Sequence, residues 1–420
     1  MNMPASLIKI DPGAGPVTRA VARLALVSTA CALALLVIPL GRASAQVAAP
    51  ASEAAASGPA APEGGGGAGK ASNAVRKAAP ARAWAKVPRV FGRLTARDVG
   101  LVINTDDPYS VRVGEHYAKA RGLADDQILR VAVPIKGSLS RDEFDDLARR
   151  VDRFFGDRVQ ALALAWRQPY GVECNSITGA LTLGFDPGAC SNTCAPTRPS
   201  RYFGSPSTRP YADYKMRLSM LLAASNSNEA VALIDRGVQA DGSQGLRGAP
   251  RSHVHFVTTS DAVRSVRQVF FPPAGPIQGL NLDVHLDQTD ALKDASGVLM
   301  YITGRAQVDH LDTVQFVPGA VADHLTSFGG LLDKPHGQMT VLSWINAGAT
   351  ASYGTTSEPC SHWQKFPHPQ ALLLFYAQGA SVIEAYWKSV LWPQQGLFVG
   401  EPLAAPFDRT GGVSRPVSRR

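Results

Sequence analysis

The stretch VGLVINTDDPYSVRVGEHYAKARGLADDQILRVAVPIKGSLSRDEFDDLARRVDRFFGDRVQALALAW, Val99 to Trp166, decides the fold. Three short apolar runs, Val99–Asn104, Ile128–Val133 and Ala161–Trp166, alternate with two segments of helical period, Ser110–Arg121 and Ser140–Phe155. Gly122 closes the first helix, and Ser140 with Glu143 three residues later opens the second as a capping box. Strands that alternate with helices need crossover connections. The order therefore predicts an α/β fold: a mostly parallel sheet with helices on both faces, in three layers.

Toward the N-terminus the chain changes character. Lys9, Arg19 and Arg23 precede an apolar run, Leu24–Leu40, and the small-residue site Ala43-Ser44-Ala45, the pattern of an export signal over residues 1–45 cleaved before Gln46. The run is at the short end of what spans a bilayer, so an uncleaved anchor competes with this reading; Pro39 and the A-x-A site favour cleavage. Residues 46–93 are dominated by Ala, Gly and Pro and cannot bury enough apolar area to offset chain entropy, which predicts a disordered tether. Within it Lys70, Arg76, Lys77, Arg82, Lys86, Arg89 and Arg93 follow one another without an acid. Residues 70–93 are thus a candidate for contact with anionic lipid or polysaccharide, against the plainer reading of a solubilising linker. Four cations against one anion in residues 1–45, and seven against two in 46–93, account for the whole net charge of +8. The body is formally neutral, which argues against a nucleic-acid partner. A short basic tail, residues 408–420, is expected to be disordered.

Past Trp166 the body, residues 94–407, continues with a long insertion, about 167–210, rich in Pro, Gly, Ser, Thr and Cys. Tyr211–Leu222 and Glu229–Gly237 read as helical or loop-like, His253–Thr258 as a strand, and Ser260–Val269 as a helix capped by Ser260. Val298–Thr303 and Val341–Ile345 read as further strands. Loss of Cys31 with the signal leaves Cys174, Cys190, Cys194 and Cys360, an even count that predicts disulfides in an exported chain. Cys190 and Cys194 are close enough to pair directly, leaving Cys174 with Cys360, although four cysteines allow three connectivities.

Ligands of parallel α/β sheets bind outside the carboxyl ends of the strands. That rule selects Asp106 and Asp107, Arg167–Tyr170, Arg305 and the polar residues of the last third, Glu358 among them, as candidate binding groups. Asp309-His310 and Asp323-His324 place carboxylates beside imidazoles, which can shuttle protons near neutral pH. If Asp323–Ser327 is helical, Asp323, His324 and Ser327 share a face, a candidate catalytic set; the plainer reading makes Asp323 a cap and His324 a buried hydrogen-bonding residue. Cys360 and His362 could form a thiolate pair, but an oxidising compartment makes Cys360 a half-cystine. His253 and His255 share a strand face, as plain alternation requires. Glu384 and Lys388 form an i,i+4 pair in the favourable order, and Glu401-Pro402 reads as a turn. No cofactor or metal is called for.

The motifs INTDDPYSVRVGEHYAKARGL, YITGR, PGAVADHLTSFGG, NAGATASYGTTSEPC, KFPHP and IEAYWKSVLWPQQGLFVGEPLAAPF resemble an exported bacterial family whose members occur alongside exosortase, a membrane protein-sorting transpeptidase. The resemblance spans Val99–Phe407 and implies a cell-envelope role connected with protein sorting or exopolysaccharide, with a peptide, a sorting-signal protein or a glycan as partner. A more distant likeness is to caspase- and gingipain-type cysteine peptidases, from the order strand, strand, Gly-Ala turn, helix and a Gly-Glu-Pro segment at Gly400–Pro402. It implies a caspase-like architecture. Those enzymes carry His-Gly after one strand and a nucleophilic Cys after the next, whereas this chain has Thr303-Gly304-Arg305 and no Cys in Pro318–Gly330. The expected function is binding at the sheet's carboxyl edge, with a peptidase-like hydrolase as the alternative.

Overall fold

A computed structural model describes residues 82–409 apart from Arg247, Lys334 and Pro335. The expected export signal, most of the expected tether and nearly all of the tail lie outside the described residues.

The deciding stretch folds as read. It forms strand β1 (Val99–Asn104), helix α1 (Pro108–Arg121), β2 (Ile128–Val131), a short β3 (Ser138–Leu139), α2 (Arg141–Phe155) and β4 (Ala161–Leu164). The Asp107 side chain caps α1 by accepting from the Tyr109 amide, and Gly122 ends it at φ 64°. Ser140 and Glu143 form the capping box on α2. The insertion holds β5 (Gly171–Val172), β6 (Asn175–Ser176), α3 (Ile177–Leu183) and α4 (Gly188–Ser191); α5 (Pro210–Tyr214), β7 (Leu218–Leu221) and α6 (Ser227–Ala240) follow. The remainder comprises β8 (Ser252–Thr258), β9 (Gly275–Ile277), β10 (Leu282–Gln288), β11 (Val298–Thr303), β12 (Phe316–His324), α7 (Val341–Asn346), β13 (Ala351–Thr355), α8 (Pro369–Ala377), α9 (Val382–Trp387) and β14 (Gly396–Gly400).

Eleven strands form one sheet in the order β2-β1-β4-β7-β14-β13-β12-β11-β8-β10-β9, and β3, β5 and β6 form a small second sheet. Eight of the ten neighbouring pairs in the large sheet are parallel, and only β13–β14 and β10–β9 are antiparallel. Helices flank both faces. A side chain at Gly100 would strike the Phe155 ring of α2, and one at Gly114 of α1 would strike Ile103. Residues 100 and 103 point to opposite sides of β1, so α1 and α2 must lie on opposite faces.

The antiparallel β13–β14 step divides the sheet into two halves of opposite direction. β2, β1, β4, β7 and β14 run one way, and β13, β12, β11, β8 and β10 the other. The strand-end residues therefore do not share one edge: Asp106, Asp107 and Arg167 leave the first half, while Arg305, Ser327 and Glu358 leave the second at the opposite edge.

Several local expectations need correction. Val341–Asn346 is a helix, not a strand, because an apolar run this short carries no period that separates the two. Leu218–Leu221 is a fully buried strand inside a segment read as helical or loop-like. Asp323 and His324 end β12 and are not helical, so the shared face with Ser327 does not form. The helix expected from Ser260 is a 3-10 turn over Ser265–Phe270. The disulfides are Cys174–Cys190 and Cys194–Cys360, not Cys190–Cys194. The first bridge closes the insertion on itself and the second fastens it to the loop after β13. Residues 82–93, expected within the disordered tether, run along the body, where the Ala85 and Val90 amides donate to Gln370 (2.7 Å) and Gln378 (2.9 Å). No helix among the described residues is long and apolar enough to cross a membrane.

Candidate functional site

Beneath the carboxyl edge of the second half lie buried polar groups. Asp323 is fully buried and pairs with Arg267 at 2.6 Å, its one polar contact among the described residues. Arg267 also donates to the carbonyls of Thr303 (2.7 Å) and Pro367 (3.2 Å). Burial raises the Asp323 carboxyl above its ordinary value, and the adjacent guanidinium opposes that rise.

His324, its neighbour in β12, faces the other side of the sheet. The indole Nε1–H of Trp344 can only donate, so His324 Nδ1 accepts it at 2.9 Å. The ring proton is then on Nε2, which donates to the Met339 carbonyl at 2.9 Å. Burial pulls this imidazole down to about 4. Both nitrogens are occupied and neither reaches solvent, so His324 stays neutral near pH 7 and is not placed to accept a substrate proton.

The other candidates are not brought together with it. Asp309 and His310 are exposed, and His310 starts a short 3-10 turn with its carbonyl accepting from the Thr313 hydroxyl. Ser327 is half-buried and takes part through its carbonyl, which accepts from the Thr355 hydroxyl at 2.8 Å. Glu358 accepts from the Cys360 amide at 2.7 Å and sits beside the Cys194–Cys360 bridge. Because Cys360 is bonded, it offers no thiolate to His362. At the opposite edge Asp106 is exposed and accepts from the Thr105 hydroxyl, while Asp107 is spent as a helix cap.

Arg305 belongs to a cluster that the sequence does not announce. Its guanidinium pairs with Asp290 at 2.5 Å, and Asp290 also accepts from the amide and hydroxyl of Ser260, both at 2.8 Å. Those two Ser260 bonds, followed by Arg305, hold the Asp290 carboxyl down at about 2. Arg264 and Asp261 form a second pair at 2.7 Å. The residues come from the ends of β8, β10 and β11, where Thr259 donates its hydroxyl to the Gly304 carbonyl at 2.7 Å. Only glycine fits at 304: a Cβ there would sit 2.0 Å from the Arg264 carbonyl oxygen. This cluster lies where β10 leaves β8 on one side and β11 joins it on the other, a reversal of strand order of the kind that opens a crevice. Thirty residues separate Ser260 from Asp290, and only the β8–β10 pairing joins them; no spacing could have revealed the pair.

Two further readings change. Glu384 and Lys388 are buried and take different partners: Glu384 accepts from Ser381 and the Leu94 amide, and Lys388 donates to the carbonyls of Ser205 and Ser207. Glu401 is not merely part of a turn but a buried anion paired with Arg121 at 2.5 Å. Among the described residues no group of three or more His, Cys, Asp or Glu is arranged to hold a metal ion. No family model, curated protein or solved structure matches this chain, so the site rests on its own geometry.

Proposed function

We propose that the protein is an exported component of the cell envelope that binds, without cleaving, a peptide such as a sorting signal, or a glycan, at the carboxyl edge of the second half of its sheet. One observation carries this reading. Paired ions and hydroxyls centred on Ser260, Asp261, Arg264, Asp290 and Arg305 reach solvent at that edge, whereas Asp323 and His324 are sealed below them on opposite faces of β12. Such a surface supplies directional hydrogen bonds to a polar chain but lacks a joined nucleophile and base. The two disulfides are in keeping with an oxidising compartment. The insertion, fastened by Cys194–Cys360, lies beside Glu358 as a wall at the same edge.

The test presents the full chain to arrays of extended peptides and of acidic and neutral oligosaccharides, alongside a quenched-fluorescence peptide library. Binding that weakens at least tenfold in Arg305→Ala, with no turnover of the library, is the expected result. Turnover lost in His310→Ala or His324→Ala would overturn it in favour of the hydrolase reading.

A further inference from the structure

Residues Arg82–Arg93 run along the body and are held to it by backbone amides. The Ala83 amide donates to the Val269 carbonyl (2.8 Å), the Ala85 amide to Gln370 (2.7 Å), the Val90 amide to Gln378 (2.9 Å), and the Leu94 amide just beyond to Glu384 (2.9 Å). These anchors turn Ala85, Val90 and Leu94 inward and leave Arg82, Trp84, Lys86, Arg89 and Phe91 facing out. Phe91 is 78% exposed and Trp84 38%, two of the five large apolar side chains exposed on the described body. Arg82 stands over the Trp84 ring at 5.9 Å and Arg89 over Phe91 at 5.6 Å.

The surroundings add apolar surface and no charge. Residues 271–281, FPPAGPIQGLN, and the whole of α8 contain no Asp, Glu, Lys, Arg or His, and the arm itself has no acid before Asp98. A groove of about 400 Å³ opens beside Trp84, lined by Pro272, Pro276, Ile277, Leu373 and Leu374. Arg93 is excluded from this face by its pair with Asp408.

Three cations interleaved with two exposed aromatic rings, fixed on a rigid backing and free of carboxylates, match a bilayer interface. Cations are drawn to anionic headgroups, and aromatic rings prefer the headgroup depth. A soluble acidic polysaccharide would satisfy the cations but leave Phe91 and the groove in water. We propose that the strip from Arg82 to Phe91, with the apolar groove beside Trp84, docks the body on an anionic phospholipid surface. This does not depend on what the carboxyl edge binds.

Trp84 is the natural probe, because Trp166, Trp344 and Trp387 are fully buried and Trp363 and Trp392 half-buried. The full chain is mixed with vesicles of brominated phosphatidylglycerol or brominated phosphatidylcholine. Emission is expected to fall on the anionic vesicles alone, to recover at high salt, and to show no such fall in Trp84→Phe. Each cation contributes about fivefold near an anionic surface, so Arg82→Gln, Lys86→Gln and Arg89→Gln together shift the docking equilibrium about a hundredfold and abolish the quenching. That holds even if residues 24–40 keep the chain on the vesicle. Equal quenching by both lipids, quenching that survives Trp84→Phe, or capture by alginate that anionic vesicles fail to compete overturns the proposal. An unchanged urea midpoint in the triple variant confirms that its fold is intact.

Discussion

At the scale of single residues, of the two carboxylate–imidazole neighbours that stand out in the sequence, the fold seals Asp323 and His324 completely and leaves Asp309 and His310 exposed. Asp323 and Arg267 form a buried ion pair, and removing one partner leaves a charge stranded away from water. Arg267→Met or Asp323→Ala alone should cost about 3–5 kcal/mol, and the double change to Met and Leu should recover most of it, as read from urea midpoints at constant slope. His324 and His368 are buried and held to about 4 against an ordinary value of 6.5. Because burial depresses both folded values, stability is full above pH 6.5, where both states are neutral, and is lost as pH falls toward 4 while the unfolded chain takes up protons. Each group contributes up to about 3 kcal/mol to that loss. Equilibrium unfolding measured from pH 7 to 4 should show uptake approaching two protons from these sites, and His368→Gln should remove one of them.

At the scale of elements, the outer strands β8 and β10 carry a feature that neither strand has alone. His253 and His255 of β8 meet His285 of β10, with His253 Nδ1 3.0 Å from His285 Nε2 and the His255 and His285 rings stacked at 4.6 Å. Asp287 contacts His255 at 2.9 Å, the Arg251–Asp283 pair closes one end, and Tyr301 of β11 lies beside His255. Burial, then the neighbouring His255 and His253, lowers the His285 imidazole. Because the folded His285 value is lowered, acidification below pH 6.5 weakens the β8–β10 contact as the unfolded chain takes up the proton first. Hydrogen exchange, corrected for its intrinsic pH dependence, should show β10 amides losing protection at pH 5 ahead of those in β1 and β4, with the effect blunted in His285→Gln. The inner elements fail differently. Gly100→Ala places a methyl 2.5 Å from the Phe155 ring, and the resulting shift of α2 should cost about 1–3 kcal/mol in thermal or urea unfolding.

At the scale of the whole molecule, the reversal at β13–β14 and the Cys194–Cys360 bridge organise the surface. The reversal sends the two sets of strand ends to opposite edges, so residues selected by one rule become two separate groups. The bridge joins positions 166 residues apart and ties the insertion to the edge bearing Glu358. Non-reducing peptide mapping should recover Cys174 with Cys190 and Cys194 with Cys360. The Cys194→Ser, Cys360→Ser double variant should lose about 2–5 kcal/mol and expose the insertion to limited proteolysis, while Cys174→Ser with Cys190→Ser leaves that tie in place. A bridge from Cys190 to Cys194 in the map would refute the connectivity.

The α/β class, the first three crossover-linked strands, the helix stop at Gly122, the cap at Ser140 and the presence of disulfides were legible in the sequence, whereas the Asp107 cap was not. The legible features follow from periodicity, capping chemistry or cysteine count within a short window. Only the tertiary structure decided what depends on distant partners. It sets the direction in which the second half of the sheet runs and the helical state of Val341–Asn346. It also pairs Ser260 and Arg305 with Asp290, links Cys194 to Cys360, and spends both nitrogens of His324. A short apolar run is equally compatible with strand and buried helix, and a histidine's chemistry is set by what fills its two hydrogen-bonding directions. Neither can be read until the chain has closed around them.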